Sequence, residues 1–242
     1  MKAYLRALAL GCQLLLLPGC FSLGSNVKLA PAQRETGREF LIGAETERPG
    51  YGLYSYLLFG APPTPASRER YARAIGAFMS TMLPITSHEE YTPREQLNIT
   101  YLPLTDPLPA AIASVRPGSQ AELSPDAVEW ILTHYNYARA AALLRAVPGI
   151  HKDGPYIVSY QQPLSGVDRL SGQYLYQDLS TAHPDLVLSW FKAFVVQAAQ
   201  PDYWNASAIQ QWPLALRNAV AIAAVSWPQV QGSLDHLITW KR

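Results

Sequence analysis

The stretch Gly52-Leu53-Tyr54-Ser55-Tyr56-Leu57-Leu58-Phe59 decides the fold. Read as a strand, it puts Leu53, Ser55, Leu57 and Phe59 on one side and Tyr54, Tyr56 and Leu58 on the other. Both faces are largely apolar, which places the strand in the middle of a sheet covered on both sides. Residues 39–45, around Phe40, Leu41 and Ile42, read as the strand before it. Arg48-Pro49-Gly50 between them supplies turn chemistry, so the two are expected to form a hairpin. A third strand is expected over 97–104, where Leu97, Ile99 and Tyr101 alternate against Asn98 and Thr100 until Pro103 interrupts. Residues 156–160 and 173–177 read as a second hairpin with a longer loop.

Helical patterns fill most of the remainder. Thr64-Pro65 offers a cap and a first-turn proline, and Tyr71, Ile75, Phe78, Met79 and Met82 recur at helical spacing until Pro84. Ser124-Pro125-Asp126 starts a second helix, with Val128, Ile131, Leu132, Tyr135, Ala138 and Ala142 as its buried stripe and Pro148-Gly149 as its stop. His183-Pro184-Asp185 opens a third, which carries Leu186, Trp190, Phe194 and Ala198 on one face. Helical spacing resumes after Trp212-Pro213 through Leu216 and Val220, and again at Leu234, Leu237 and Ile238. The expected class is α+β: a mostly antiparallel sheet of about five strands, four or five helices, and a helical C-terminal third.

Hydrophobic residues make up 49% of the 242 and charged residues 15%, the balance of a chain that folds around a core. The formal charge is +1, and no basic run or stripe appears, which sets nucleic acid aside as a partner.

At the N-terminus, Lys2 and Arg6 precede an apolar stretch over 7–17 that only Gln13 interrupts. At ~1.5 Å per residue this helix would span about half a bilayer's hydrocarbon core, so it reads as a signal peptide and not as a membrane span. Leu17-Pro18-Gly19-Cys20 closes the stretch and resembles the lipobox of bacterial lipoproteins. The resemblance implies cleavage after Gly19 and a diacylglycerol thioether on Cys20. Phe21 stands where Asp would signal inner-membrane retention, which favours the outer membrane. Without residues 1–19, 17 basic face 18 acidic side chains, and only Cys20 is left of the two cysteines, so no disulfide or thiolate metal site is expected. Residues 20–37 read as the lipidated end and a flexible tether, and 38–242 as one domain.

Chemistry-bearing residues are scattered. His88-Glu89-Glu90 is the densest ionisable cluster, but Thr92 stands where H-E-x-x-H needs its second histidine, so it reads as a polar loop between Pro84 and Pro93. Asp178 and Glu45 end strands, where paired carboxylates can line a cleft, although Asp178 also suits the turn before the next helix. Tyr203, Trp204 and Trp212 cluster at a helix break beside Pro201 and Pro213 and are the candidate ligand or partner surface. Ser159, Ser165 and Ser171 lack the G-x-S-x-G signature, and no nucleotide-binding glycine pattern occurs. The chain is expected to need no metal or cofactor. It reads as a membrane-anchored envelope module that binds a protein or cell-wall partner without catalysis; an envelope hydrolase with scattered residues is the alternative.

Overall fold

The computed structural model describes residues 35–115, 123–148, 154–171 and 174–199. In chain order the strands are β1 (Glu35–Ile42), β2 (Leu53–Leu58), β3 (Leu83–Pro84), β4 (Leu97–Leu104), β5 (Tyr156–Tyr160) and β6 (Leu175–Asp178). The helices are α1 (Arg68–Thr81), α2 (Thr86–Glu89), α3 (Ala110–Ala113), α4 (Pro125–Thr133), α5 (Tyr137–Leu144) and α6 (Pro184–Ala198). β2 is buried at every residue, as its two apolar faces require.

The class is α+β, but the sheet is mixed and not mostly antiparallel. Its six strands run β3-β1-β4-β2-β5-β6, with β3, β1, β4 and β2 parallel and the β5–β6 hairpin antiparallel to β2 and to itself. The first expected hairpin does not form, because β4 lies between β1 and β2. The reason is reach. β1 ends at Ile42, level with Leu104, and β2 begins at Leu53, level with Asn98 and so with Thr36. Returning over six residue levels takes roughly 20 Å at ~3.3 Å each. Residues 43–52 are long enough to cover it, so Arg48-Pro49-Gly50 turns a crossing connection and not a hairpin; Gly50 takes a φ of 92° there.

Strand β1 also begins earlier than expected. Glu35, Thr36 and Gly37, assigned to the tether by composition, pair with Leu97, Asn98 and Ile99. A Cβ on Gly37 would sit 2.6 Å from the Cα of Ile85, so only glycine lets β1 run this close to the start of α2. Pro103 does not end β4. It pairs with Leu41 but lies beyond Tyr101, the last residue registered with β2, so its missing N–H falls where the β2 ladder has stopped.

One sheet face carries Phe40 against Phe78 of α1, their centroids 5.8 Å apart, with α6 packed beside α1. On this face a buried polar band crosses four strands: Asn98 Nδ2 donates to Thr36 Oγ1 at 3.3 Å, Ser55 Oγ to Asn98 Oδ1 at 2.9 Å, and Ser55 lies 2.5 Å from Ser159. Ser159 is thus part of the strand packing. The other face is rich in tyrosine, and its hydroxyls anchor the connections that cover it. Tyr101 Oη accepts from Arg48 N at 2.8 Å, Tyr54 Oη from Tyr51 N at 3.2 Å, and Tyr56 Oη from Leu164 N at 2.9 Å.

The helices depart from expectation at two places. Thr64 and Ser67 bond each other's backbone N–H, and α1 starts at Arg68, one turn after the proline. The single helix expected from Ser124 is two. Ser124 does cap α4, accepting from Ala127 N, but α4 ends at Thr133 and Asn136 caps α5. Ala138 and Ala142 are exposed, and Ala140, Leu143 and Leu144 are buried in their place. The break frees Tyr135 to bridge to Leu104 and to point its hydroxyl at the end of β2. α6 is buried along Leu186, Trp190, Phe194 and Ala198 as expected. The helical segments expected after residue 199 lie outside the described residues.

Two substitutions test this packing. Tyr135 Oη accepts from Phe59 N at 3.0 Å and donates to Leu57 O at 3.1 Å, all in the core. Tyr135→Phe strands a buried N–H, so denaturant unfolding should show a loss of about 1–3 kcal/mol; no loss would mean that the Phe59 amide has another acceptor. Gly76 lies inside α1, and a Cβ added there would meet nothing within 4 Å. Gly76→Ala should therefore raise stability by roughly 1 kcal/mol, and a fall would reveal a neighbour the helix needs close.

Candidate functional site

The expected polar cluster is pulled in three directions. α2 is a single turn after β3, set against β1, and its last residue Glu89 faces the 43–52 connection. Arg48 Nη2 donates to both Glu89 oxygens, at 2.7 and 2.8 Å, and Tyr51 Oη and Arg94 Nε each donate to Oε1 at 2.6 Å. Both guanidinium groups also lie over the Tyr51 ring, 5.7 and 5.5 Å from its centroid. Arg48 reaches a second carboxylate, Glu39 on β1, at 3.4 Å.

The electrostatics follow from this donor set. Burial by itself would raise the Glu89 pKa. The hydrogen bonds from Tyr51, Arg48 and Arg94 outweigh it and bring the carboxyl down to about 2. Tyr51 moves upward, first by burial and then because its proton is held by Glu89. A carboxylate so saturated has little proton affinity left for acid or base work near neutral pH. Its effect is to fasten α2, the crossing connection and the turn that leads into β4 to one another.

His88 faces a different partner. Its Nδ1 lies 3.0 Å from Glu35 Oε2, which also accepts from Thr92 Oγ1 at 3.0 Å, and its Nε2 is buried without a partner. Glu90 is exposed. Asp178 is not brought near any of these: it stands on β6, at the opposite edge of the sheet from α2, and accepts from Ser180 N at 2.7 Å in the turn toward α6. Glu45, just past the end of β1, accepts from Ile42 N at 3.2 Å. Cys20, Tyr203, Trp204 and Trp212 lie outside the described residues. Among the described residues, no group of three or more His, Cys, Asp and Glu side chains is placed to hold a metal ion.

Two features escape a reading of the sequence. The first is a groove of about 830 Å³ along the outward side of α1, between α4 and the start of α6. Ala72, Gly76 and Ala77 line its α1 side, Val128 and Leu132 come from α4, and Leu188 from α6. Its charged rim is ion-paired: Arg68 with Glu129, and Arg73 with Glu69 at 3.8 Å and Asp185 at 3.7 Å. Small residues at every fourth position, Ala72, Gly76 and Ser80, are the signal the sequence offers. The second feature is Arg38, 2% exposed on β1, whose guanidinium donates to the carbonyls of Met79, Met82 and Val115. It falls just outside the expected strand.

The Glu89 network carries a pH prediction. Because the folded-state pKa is below the ordinary value of 4.5, its contribution is full above that value and is lost as pH falls toward 2. Glu89→Gln should cost about 2 kcal/mol at pH 7 and flatten the acid limb of stability between those values. An unchanged acid limb would assign the acid sensitivity to other carboxylates. No protein family, no curated protein and no solved structure matches this chain.

Proposed function

We propose that this chain is a bacterial envelope lipoprotein, held by lipid on Cys20 at the outer membrane, whose domain works by binding a protein or cell-wall partner without catalysis. The observation that carries the binding reading is the groove on α1: an open trough, mostly apolar and bordered by ion pairs, in the size range of ligand sites. The anchor rests on the lipobox resemblance at Leu17-Pro18-Gly19-Cys20. Two or three acyl chains on one cysteine, at ~0.8 kcal/mol per buried methylene, give stable attachment where a single chain gives marginal attachment.

One observation favours the alternative of an envelope hydrolase. His88 has its Nδ1 on the Glu35 carboxylate and its Nε2 without a partner, the orientation by which a carboxylate holds a histidine base. His88→Gln separates the two readings, since a binding module keeps its partner and a hydrolase loses its turnover.

Cys20→Ser tests the anchor. The variant should take up no labelled fatty acid and should leave the membrane fraction, while wild type stays in the membrane through a high-salt wash. A serine variant that remained on the membrane in high salt would place the anchor elsewhere.

A further inference from the structure

The lining of the groove carries three acids and two arginines. Arg68 pairs one to one with Glu129, whereas Glu69 and Asp185 share Arg73 at 3.8 and 3.7 Å, beyond hydrogen-bond reach. The surplus carboxylate therefore stands on the rim where the first turns of α1 and α6 meet. From Arg68 to Ser80 the α1 wall runs for about 18 Å, and Leu188, on the α6 wall, is 38% exposed.

Residues 213–227 lie outside the described residues, and their sequence has matching properties. At helical spacing they extend ~22 Å, with Leu216 and Val220, Leu214 and Val225, and Ala215 and Ile222 on different sides. A helix apolar all round demands burial, and this one is too short for the ~30 Å of a bilayer's hydrocarbon core. Arg217 is its one charge, and the sole lysine or arginine between Lys192 and Lys241. The chain also has the reach. α6 lines the groove at Asp185 and ends at Ala198, about 20 Å further on. Residues 199–212 span up to about 46 Å at ~3.3 Å each, enough to bring Arg217 back to Glu69 and Asp185.

We infer that residues 213–227 of the same chain dock in the groove as a helix, with Arg217 against Glu69 and Asp185. This rests on the binding reading above and deepens it: the chain covers its own trough, and the partner is a protein that displaces the segment with a helix of the same kind, apolar and carrying a basic side chain. A helix suits the trough because its backbone groups bond one another and bring no unmet donors or acceptors to an apolar wall.

The test uses the full chain in its membrane, with benzoylphenylalanine in place of Leu188. Photolysis and mass spectrometry should join position 188 to residues 213–227 at the mass of one chain. Trypsin gives a second readout, because Arg217 is its one site between Lys192 and Lys241. Cleavage after Arg217 should be slow in wild type and at least tenfold faster in Gly76→Leu, whose side chain enters the trough where a Cβ meets nothing within 4 Å. Cleavage elsewhere in the domain should keep its wild-type rate, which separates release of the segment from unfolding; should the variant fail to fold, the crosslink on the otherwise native chain decides. Glu69→Gln combined with Asp185→Asn should also speed cleavage after Arg217. No crosslink to 213–227, a crosslink to them only at the mass of two chains, or unchanged cleavage in the folded variants overturns the assignment. If position 188 crosslinks to an envelope protein and never to 213–227, the segment falls and the binding reading stands; if it crosslinks to neither, both fall.

Discussion

Everything in this sheet depends on the enclosure of β4. It has β1 on one edge over its full length and β2 on the other for four residues, and all eight of its residues are buried. Since the three strands are parallel, the chain must return along the sheet each time it leaves one of them, and each return has to cover a face. The 43–52 connection returns over the tyrosine-rich face and α1 over the other. The covering layers that an apolar strand demands are therefore supplied by the connections that parallel pairing demands.

A connection without regular structure brings backbone groups that need partners when they are covered. Tyrosine meets this need because one residue offers both an apolar ring for the sheet and a hydroxyl at its far end. Tyr54, Tyr56 and Tyr101 each accept a backbone N–H from a segment crossing above them. Glu89 does the corresponding work at the edge, where two arginines and a tyrosine converge on one carboxylate. The many tyrosines of this chain are better understood as fasteners than as a recognition platform.

Helix α1 has two jobs of opposite kind. Tyr71, Ile75 and Phe78 bury one side of it, while another side carries Ala72 and Gly76 and leaves room between α4 and α6. An interior glycine weakens a helix, and here Gly76 keeps the outward side of α1 open.

The sequence by itself determined what depends on near neighbours: the buried strand at 53–58, the β5–β6 hairpin, the cap at Ser124, the buried stripe of α6, and the turn role of Asp178. Each of these is set by alternation, helical period or a side chain bonding its own local backbone. Tertiary structure alone decided the insertion of β4 between β1 and β2, the pairing of Glu35–Gly37, the break that turns Tyr135 toward β2, and the dispersal of His88 and Glu89 to separate partners with Glu90 exposed. In the cluster, adjacent residues on a single helical turn point apart, so closeness in sequence worked against closeness in space. The groove and Arg38 were hidden for a related reason. A hollow is made by the distance between α1, α4 and α6, and the burial of a charged side chain by the elements packed over it, and neither is a property of any one stretch of chain.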